Sequence, residues 1–447
     1  MAREELLGLG SKIVEKALKE GFDEAAILVR RVDETMVKLA NSQPSVTQKW
    51  SEYYVSIYVT KNKRIFIIEL RPRDLGVLDK PLKELFGYAS RVEESMFYVP
   101  LPEPGKIEKL EGLVDKYMFD YLENPLRLAE ASLEAAHREN IDYVAGTIDL
   151  WYVEKALVTS KGGEFYEDST GYQMYLRAFS GEDGSGQWSA CGTRVDVKAI
   201  EEASSMAAKY AVESRGRASV EPGKYDLILS PLVFGNLINL VARMASAFSI
   251  FMGMSIFMKK MPGDKVASEK LTVKDAPRYT ELPYATSFDD EGIGTWDKPI
   301  IEKGVLKTIL HNTKTAAKFG GKSTGNAGWI YPHPWNLVVE PGDYSFDELI
   351  GEVKRGILVT NNWYTRLQNY VEGIFSTISR DALFLIKDGE IVKPVEKIRI
   401  ADKLPNLLNN VEGLGKETYN IKWWEVGIPT KLPYVLVRGI NVSKHML

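Results

Sequence analysis

The feature that most constrains the fold is a polar segment near the middle of the chain, where the sequence pattern changes from mixed helices and strands to mainly strands. Residues 215–224 read RGRASVEPGK and separate a predicted helix from a predicted strand. The chain has 447 residues, which is longer than one ordinary hydrophobic core supports. We therefore expect an α+β fold in two domains: an α+β domain over residues 1–218 and a mainly β domain with a few helices over residues 219–447.

Local patterns describe the two halves differently. The first half mixes β-rich runs with helical periodicity, and its predicted helices are Glu4–Glu20, Pro81–Glu94, Leu110–Leu122, Pro125–Glu139 and Val197–Ser214. The second half is β-rich, with proline and glycine between the runs, as in RDALFLIKDGEIVKPV at residues 380–395. The Asp-Gly pair in this run predicts a tight hairpin turn because both positions favour positive φ angles.

Charge and cysteine content limit the possible functions. The net charge is −4, with both signs interspersed, which argues against a nucleic-acid surface. The single cysteine, Cys191, cannot form an internal disulfide, and the charged start of the sequence has no apolar signal core. We therefore expect a cytoplasmic protein. The abundance of Glu, Lys and Arg over Gln, His and Cys is typical of a thermophile.

An apolar segment, Leu237–Met258, contains only one charged side chain, Arg243. Its length would allow a membrane span, but it lies in mid-chain, contains Gly253, and lacks an aromatic belt and flanking basic loops. We expect instead a buried helix followed by an apolar strand or loop, partly lining a cavity between the domains. Its methionines suit an adaptable interior or partner surface.

Histidine and cysteine side chains give little support for catalysis. The four histidines, His137, His311, His333 and His445, are not spaced from one another or from Cys191 in a metal-binding pattern. His333 lies in a YPHPW loop, where packing is the favoured interpretation. Cys191 has no histidine nearby in the sequence, so we interpret it as a buried structural thiol rather than a nucleophile.

An acidic triplet, Asp289-Asp290-Glu291, precedes Gly292. Three adjacent carboxylates either bind a cation or cap a turn through Asx-type backbone hydrogen bonds, and the residue types alone favour the turn. A hydrolytic site built on Asp289, Asp290 and His311 is a further alternative. The run Thr324-Gly325-Asn326 is, by itself, a turn signal.

Several short motifs of the second half occur in a recognisable order. They read VEPGKYDLILSP, GDKVASEKLTVKDAP, FDDEG, IIEKGVL, STGNA, NLVVEPG and LFLIKDGEIVKPV. Their order and spacing resemble the C-terminal half of the TldD/PmbA family, which is known both as modulators of DNA gyrase and as metallopeptidases. The resemblance extends from residue 225 to the end of the sequence, whereas the first half fits only in outline.

The same resemblance implies where a metal site has been lost. The family's HExxxH motif aligns with residues 239–244, NLVARM, so Asn239 and Met244 replace its histidines and Leu240 replaces its catalytic glutamate. No His or Glu occurs from Leu232 to Met261, and the family's C-terminal cysteine is also absent. Leucine cannot deprotonate water, and neither leucine nor methionine replaces an imidazole or thiolate ligand of Zn²⁺.

The resemblance therefore implies a TldE/PmbA-like subunit with no catalytic residue, metal or cofactor of its own. Such a subunit shapes a chamber for unfolded peptides and supports a zinc-bearing HExxxH partner in a heterodimer. The alternative is a stand-alone homodimer that binds peptides or serves a structural role. Substrate-binding positions implied by the family motifs are Asp289, Asp290, Glu291, Thr324 and Asn326.

Dimer formation also has candidate surfaces in the sequence. Aromatic residues are enriched in interface cores, and three of them, Trp329, Tyr331 and Trp335, lie in one proline-rich loop. The predicted strand Tyr434–Val442 is a second candidate, because an unpaired strand can add to the sheet of a partner. Packing within the chain explains both features almost equally well.

Overall fold

A computed structural model describes residues 2–72, 79–88 and 91–444. These residues form three β-sheets and several helices, which confirms the expected α+β class. His445 lies outside the described residues, as do parts of the predicted helix Pro81–Glu94.

The elements of the first half span residues 2–213. In chain order they are α1 (Ala2–Lys19), β1 (Glu24–Ala40), β2 (Gln43–Lys61), β3 (Arg64–Leu70), α2 (Asp79–Tyr88), α3 (Met118–Glu123), α4 (Leu126–Ala136), β4 (Tyr143–Thr159), β5 (Glu164–Ser180), β6 (Gly184–Gly192) and α5 (Val197–Glu213).

The six strands of the first half form one antiparallel sheet in the order β3-β2-β1-β4-β5-β6. Side chains of a strand alternate between its two faces. In β1, Ile27 and Val29 therefore pack in the core that includes Leu6 of α1, whereas Leu28 and Arg30 lie on the opposite face and line a cavity. The sheet thus supplies a wall of the candidate site.

The second half begins at residue 223. Its elements are β7 (Gly223–Leu229), α6 (Pro231–Met244), α7 (Ala247–Phe251), β8 (Val273–Asp275), β9 (Lys298–Glu302), β10 (Val305–Leu306), α8 (Thr313–Phe319), β11 (Leu337–Val339), α9 (Phe346–Gly351), β12 (Arg355–Asn369), β13 (Ile374–Lys387), β14 (Glu390–Pro394), β15 (Ile398–Lys403), α10 (Leu404–Asn409), β16 (Val411–Leu414), β17 (Tyr419–Trp423), β18 (Val426–Leu432) and β19 (Val435–Lys444).

Two sheets organise this half of the chain. One has the strand order β10-β9-β8-β11-β18-β17, and the other has the order β12-β7-β19-β15-β13-β14, with β16 also paired to β19. The hairpin turn predicted at Asp388-Gly389 is confirmed, with φ angles of 51° and 83°. The suggestion that Tyr434–Val442 pairs across an interface is wrong, because β19 is hydrogen-bonded to β7, β15 and β16 of its own sheet.

The predicted helix Leu110–Leu122 is also wrong over most of its length. The only helix there, α3, begins at Met118. The preceding segment is extended, with Gly112 at φ 80°, and it docks on β5, where Leu113 O accepts from Thr170 N at 2.9 Å. Tertiary hydrogen bonds to the sheet thus override the local helical pattern.

The apolar segment Leu237–Met258 contains the end of α6, a bend at Ala245 and Ser246, the whole of α7, and a non-helical stretch of turns over residues 252–258. In the part of the chain that the structure describes, no helix is both long and apolar enough to span a membrane. From Leu237 to Ala247 burial is confirmed except at Leu240, which is half-buried, and Arg243, which is exposed. Beyond it the expectation is wrong for Met252, Met254 and Met258, whose side chains are 52%, 44% and 41% exposed, whereas Phe257 is buried.

Candidate functional site

Helix α6 carries the three positions that align with a metal motif in the sequence. It begins after Ser230, whose hydroxyl accepts a hydrogen bond from Val233 N, and Pro231 occupies its first turn, where a missing N–H has no cost. Its residues are almost all apolar and buried, and it packs against β18. The helix therefore fixes rigidly which side chains reach the adjoining cavities.

Asn239 turns away from those cavities. Its side chain donates to Thr430 Oγ1 at 2.9 Å and accepts from Ile428 N at 2.8 Å. Both partners belong to β18, and the Asn239 side chain is buried. This asparagine is therefore a structural link between α6 and β18.

Leu240 and Met244 lie four residues apart on another face of α6, as helix geometry requires. Both line a small cavity of about 240 Å³, which we call the side cavity and whose other walls include Arg243, Tyr331 and Tyr370. The structure thus brings two of the three aligned positions to a cavity and leaves the third in the interior.

These residues do not fit a zinc ion. Zinc sites use Cys, His, Asp or Glu ligands, and a catalytic site needs about three of them with one open position. Over residues 2–72, 79–88 and 91–444, no group of three or more such side chains is placed to hold a metal ion. Leu240 and Met244 provide no charged or nitrogen ligand, so no step of a reaction is assigned to a metal on this chain.

Two members of the acidic triplet are structural. Asp289 is fully buried, and its carboxylate accepts from the N–H groups of Glu291, Ile293 and Ala327 at 2.9 to 3.0 Å. Glu291 accepts from Thr313 N at the start of α8 and forms a buried ion pair with Lys314 at 2.7 Å. The carboxylates of Asp289 and Glu291 therefore stabilise the fold through contacts within the chain.

Asp290 is the member of the triplet that faces open space. It lines a large cavity of about 860 Å³, which we call the central cavity. Burial raises the pKa of its carboxyl group, and the nearby charges of His333, Lys155 and Arg30 partly offset that rise.

Thr324 and Asn326 also belong to internal hydrogen-bond networks. Thr324 Oγ1 accepts from His311 N at 2.8 Å and contacts Asn326 Oδ1 at 2.8 Å. Asn326 Nδ2 donates to Asp275 Oδ2 at 2.6 Å, and Asp275 forms a buried ion pair with Lys298 at 2.9 Å. This network supports the loop that carries Trp335, whose backbone N–H donates to Asp275 Oδ1.

Residues from both halves of the chain line the central cavity. The first sheet contributes one polar and aromatic wall, and the opposite wall comes from loops of the second half, together with Arg243 of α6 and Ile428 of β18. Five aromatic side chains line it: Trp151, Tyr284, Trp329, Tyr331 and Trp335. The volume and the mixture of aromatic and polar groups are those of a ligand-binding cavity.

Sequence reasoning missed the charged residues of the sheet wall. Lys155 and Glu167 are cross-strand partners of β4 and β5, and they form an ion pair at 2.7 Å that is mostly buried. Burial alone would raise the pKa of Glu167, but Lys155 and the Ser287 and Thr286 hydroxyls hold it below its ordinary value. Charged residues within apolar strand runs were the available signal, but strand register is needed to pair them.

The remaining candidate residues are not brought together at one site. Of Asp289, Asp290 and His311, only Asp290 lines the central cavity, while the His311 ring contacts Thr315 Oγ1 at 3.2 Å and lies near Phe319. Cys191 is buried, and burial raises its pKa to about 12, which keeps the thiol protonated. His333 lines the central cavity, stacked edge-on against Trp335.

Comparison with known proteins identifies similar sequences and folds. A model of the PmbA/TldA metallopeptidase C-terminal domain matches residues 222–444, and a model of the central domain of the same family matches residues 103–215. A metalloprotease of Methanothermobacter thermautotrophicus is 30% identical over 302 residues, which cover 64% of this chain and 65% of the relative. The match therefore spans slightly less than two thirds of that relative's length.

Solved structures share the fold over nearly the whole chain. A protein of Thermotoga maritima described as a candidate modulator of a DNA gyrase superposes with a TM-score of 0.83 at 25% identity, covering 98% of this chain and 99% of that protein. TldE from Thermococcus kodakarensis superposes with a TM-score of 0.86, covering 97% and 100%, and at 20% identity it supports the fold alone.

Proposed function

Because this chain belongs to the PmbA/TldD metallopeptidase family, we propose that it is a metal-free, non-catalytic subunit of a TldD/TldE-like metalloprotease. In this role it shapes a peptide-binding chamber and supports a zinc-bearing partner that hydrolyses unfolded peptides. Relatives that match over part of their length are named metalloproteases, and the subunit role is our proposal for this chain.

The observation that carries the proposal is the chemistry of α6. Asn239 is bound to β18, while Leu240 and Met244 present a hydrocarbon and a thioether to the side cavity. Metal-dependent hydrolysis requires ligands that hold the ion and a base that accepts a proton from water. A chain that keeps the fold but has a tied-back asparagine and two apolar side chains at these positions is suited to binding rather than to bond cleavage.

The central cavity supports the peptide-binding part of the proposal. Its volume of about 860 Å³ is adequate for a few residues of an extended peptide, and its aromatic side chains can contact many different peptide side chains. Among the substrate-binding positions predicted from the sequence, Asp290 lines this cavity. We therefore propose peptide binding for Asp290 and not for Asp289, Glu291, Thr324 or Asn326.

An exposed apolar surface near the side cavity supports the partner. We call it the apolar rim, formed by Phe251, Met252, Met254, Phe319 and Tyr331, which are all between 39% and 53% exposed. Phe251 packs on Phe319 with ring centroids 6.0 Å apart, and Met254 and Tyr331 both line the side cavity. A contiguous exposed surface of this kind is typical of an interface.

We assign the rim to the zinc-bearing relative because the missing ligands and the exposed rim adjoin the same cavity. A partner seated there would bring its own metal close to the space in front of Leu240 and Met244. Stable pairing of this type buries about 2,000 Å² or more, so the rim would be only the centre of the contact.

The test is co-expression with an HExxxH relative from the same genome, followed by size-exclusion chromatography with light scattering. We expect a heterodimer, and the double variant Phe251→Asp/Met252→Asp should weaken it at least about tenfold, because charges at an apolar interface core remain unpaired. Val392→Asp is the matched control, since Val392 of β14 is also apolar and exposed, at 53%. A homodimer in the presence of the relative would favour the stand-alone alternative, and equal pairing by all variants would exclude the rim.

A further inference from the structure

The charged side chains that line the central cavity are mostly paired within the chain. Arg30 Nη2 lies 3.3 Å from Glu69 Oε2, and Lys155 Nζ lies 2.7 Å from Glu167 Oε1. Lys155 also donates to Thr286 Oγ1 at 2.6 Å. Two cations and two carboxylates of the wall therefore neutralise each other before any ligand arrives.

The Asp290 carboxylate also lines the central cavity but takes no part in these two ion pairs. Its carboxylate has no hydrogen bond or ion pair with any residue that the structure describes, although its backbone N–H donates to Ala327 O. Aromatic rings of Trp151, Tyr284 and Trp329 line the same cavity. A carboxylate in an aromatic-walled cavity favours a cationic ligand group, since both the charge and the ring faces attract it.

Arg243 is the arginine of the central cavity that forms no ion pair with a described residue. Among the described residues its guanidinium has no carboxylate partner, and it lines both the central cavity and the side cavity. Its Nη2 atom lies at the start of β18, 3.1 Å from where a Cβ atom on Gly427 would be. It therefore stands where the two cavities meet, next to Met244 of α6.

We propose that the central cavity binds short peptides as dipolar ligands, with a positive group of the peptide against Asp290 and a negative group against Arg243. This inference rests on the proposed function, because it names the class of peptide that the same cavity selects. The opposite charges also give the bound peptide one direction, with its negative end toward α6.

The experiment titrates the full-length chain with tetra-alanine and follows the fluorescence of its own tryptophans, three of which line the cavity. We compare the free peptide with N-acetylated and C-amidated forms. Each modification should weaken binding about tenfold, the scale of one charge-assisted hydrogen bond. The Asp290→Asn variant should lose sensitivity to acetylation alone, and Arg243→Gln should lose sensitivity to amidation alone.

Two further arms identify the source of each charge and control for folding. One further peptide is acetylated and has an internal lysine, and another is amidated and has an internal glutamate. If these peptides bind more tightly than the blocked tetra-alanine, peptide side chains can supply the charges, which equally supports the proposal. Asp347→Asn and Arg91→Gln, at exposed positions away from the cavity, are the matched controls and should bind as the unmodified chain does.

The outcomes separate the inference from the proposed function. Equal affinity for free and blocked peptides would refute the dipolar site while leaving the peptide-binding chamber intact. Loss of sensitivity to the same modification in both variants would also refute it, since the two charges must act on different ends. No binding of any peptide would overturn the chamber as well.

Discussion

The buried ion pair between Glu291 and Lys314 gives the sharpest test of the structural account. The pair is 2.7 Å long, and its side chains are 0% and 4% exposed. Glu291 also caps α8 by accepting from Thr313 N, and Lys314 lies over the Tyr58 ring at 4.7 Å. The sequence motif placed Glu291 in a substrate site, whereas these contacts give it a role in stability.

Replacing Lys314 with methionine should therefore be costly. The substitution keeps most of the side-chain volume but leaves the Glu291 carboxylate buried with only a backbone N–H as partner. Removing one member of a buried ion pair typically costs about 3 to 5 kcal/mol of the free energy of unfolding. The double variant Glu291→Gln/Lys314→Met should recover much of that loss, because no unpaired charge remains.

The assay is urea denaturation followed by circular dichroism, with Lys307→Met as the control. Lys307 and Glu302 form an ion pair at 3.2 Å in the same half of the chain, but both side chains are more than 40% exposed. An exposed pair contributes about 1 kcal/mol or less. A loss for Lys314→Met as small as that for Lys307→Met, or a double variant less stable than Lys314→Met, would refute the reasoning.

Three further predictions concern α6 and the single cysteine. Placing His, Glu and His at positions 239, 240 and 244 should not create a zinc site measurable by calorimetry, because residue 239 faces β18. Asn239→Ala alone should lower the free energy of unfolding, measured by urea denaturation, by about 1 to 3 kcal/mol, because it leaves Ile428 N–H unpaired. Cys191 should resist iodoacetamide at pH 8 until the chain unfolds, as measured by mass spectrometry, because burial raises its pKa to about 12. Its contribution to stability is complete below the ordinary thiol pKa and is lost as the pH rises toward about 12, since the unfolded thiol ionises first.

Local signals in the sequence were sufficient where the structure depends on local chemistry. The Asp388-Gly389 turn was predicted because its φ angles are set by the two turn residues themselves. The cap of α5 was equally local, with Asp196 accepting from Ala199 N at 3.1 Å. The family resemblance predicted the fold of the whole second half, because it rests on the order of many such short turn motifs.

Long-range contacts set the limits of sequence reasoning. Nothing local distinguishes Asp290 from Asp289, yet one lines a cavity and the other is held by three backbone N–H groups. The direction of Asn239 likewise depends on β18, almost 190 residues further along the chain. The sequence left open whether the methionines of the apolar segment lie in the interior or at a partner surface, because hydrophobicity alone does not separate core from interface, and Met252 proves to be exposed.

The most direct test of the central claim is metal analysis combined with a peptidase assay, on the chain alone and in complex with its HExxxH relative. We predict no stoichiometric zinc and no hydrolysis of unstructured peptides for the chain alone, and about one zinc per heterodimer with chelator-sensitive hydrolysis for the complex. About one tightly bound zinc per chain, with chelator-sensitive peptidase activity in the absence of any partner, would contradict the account.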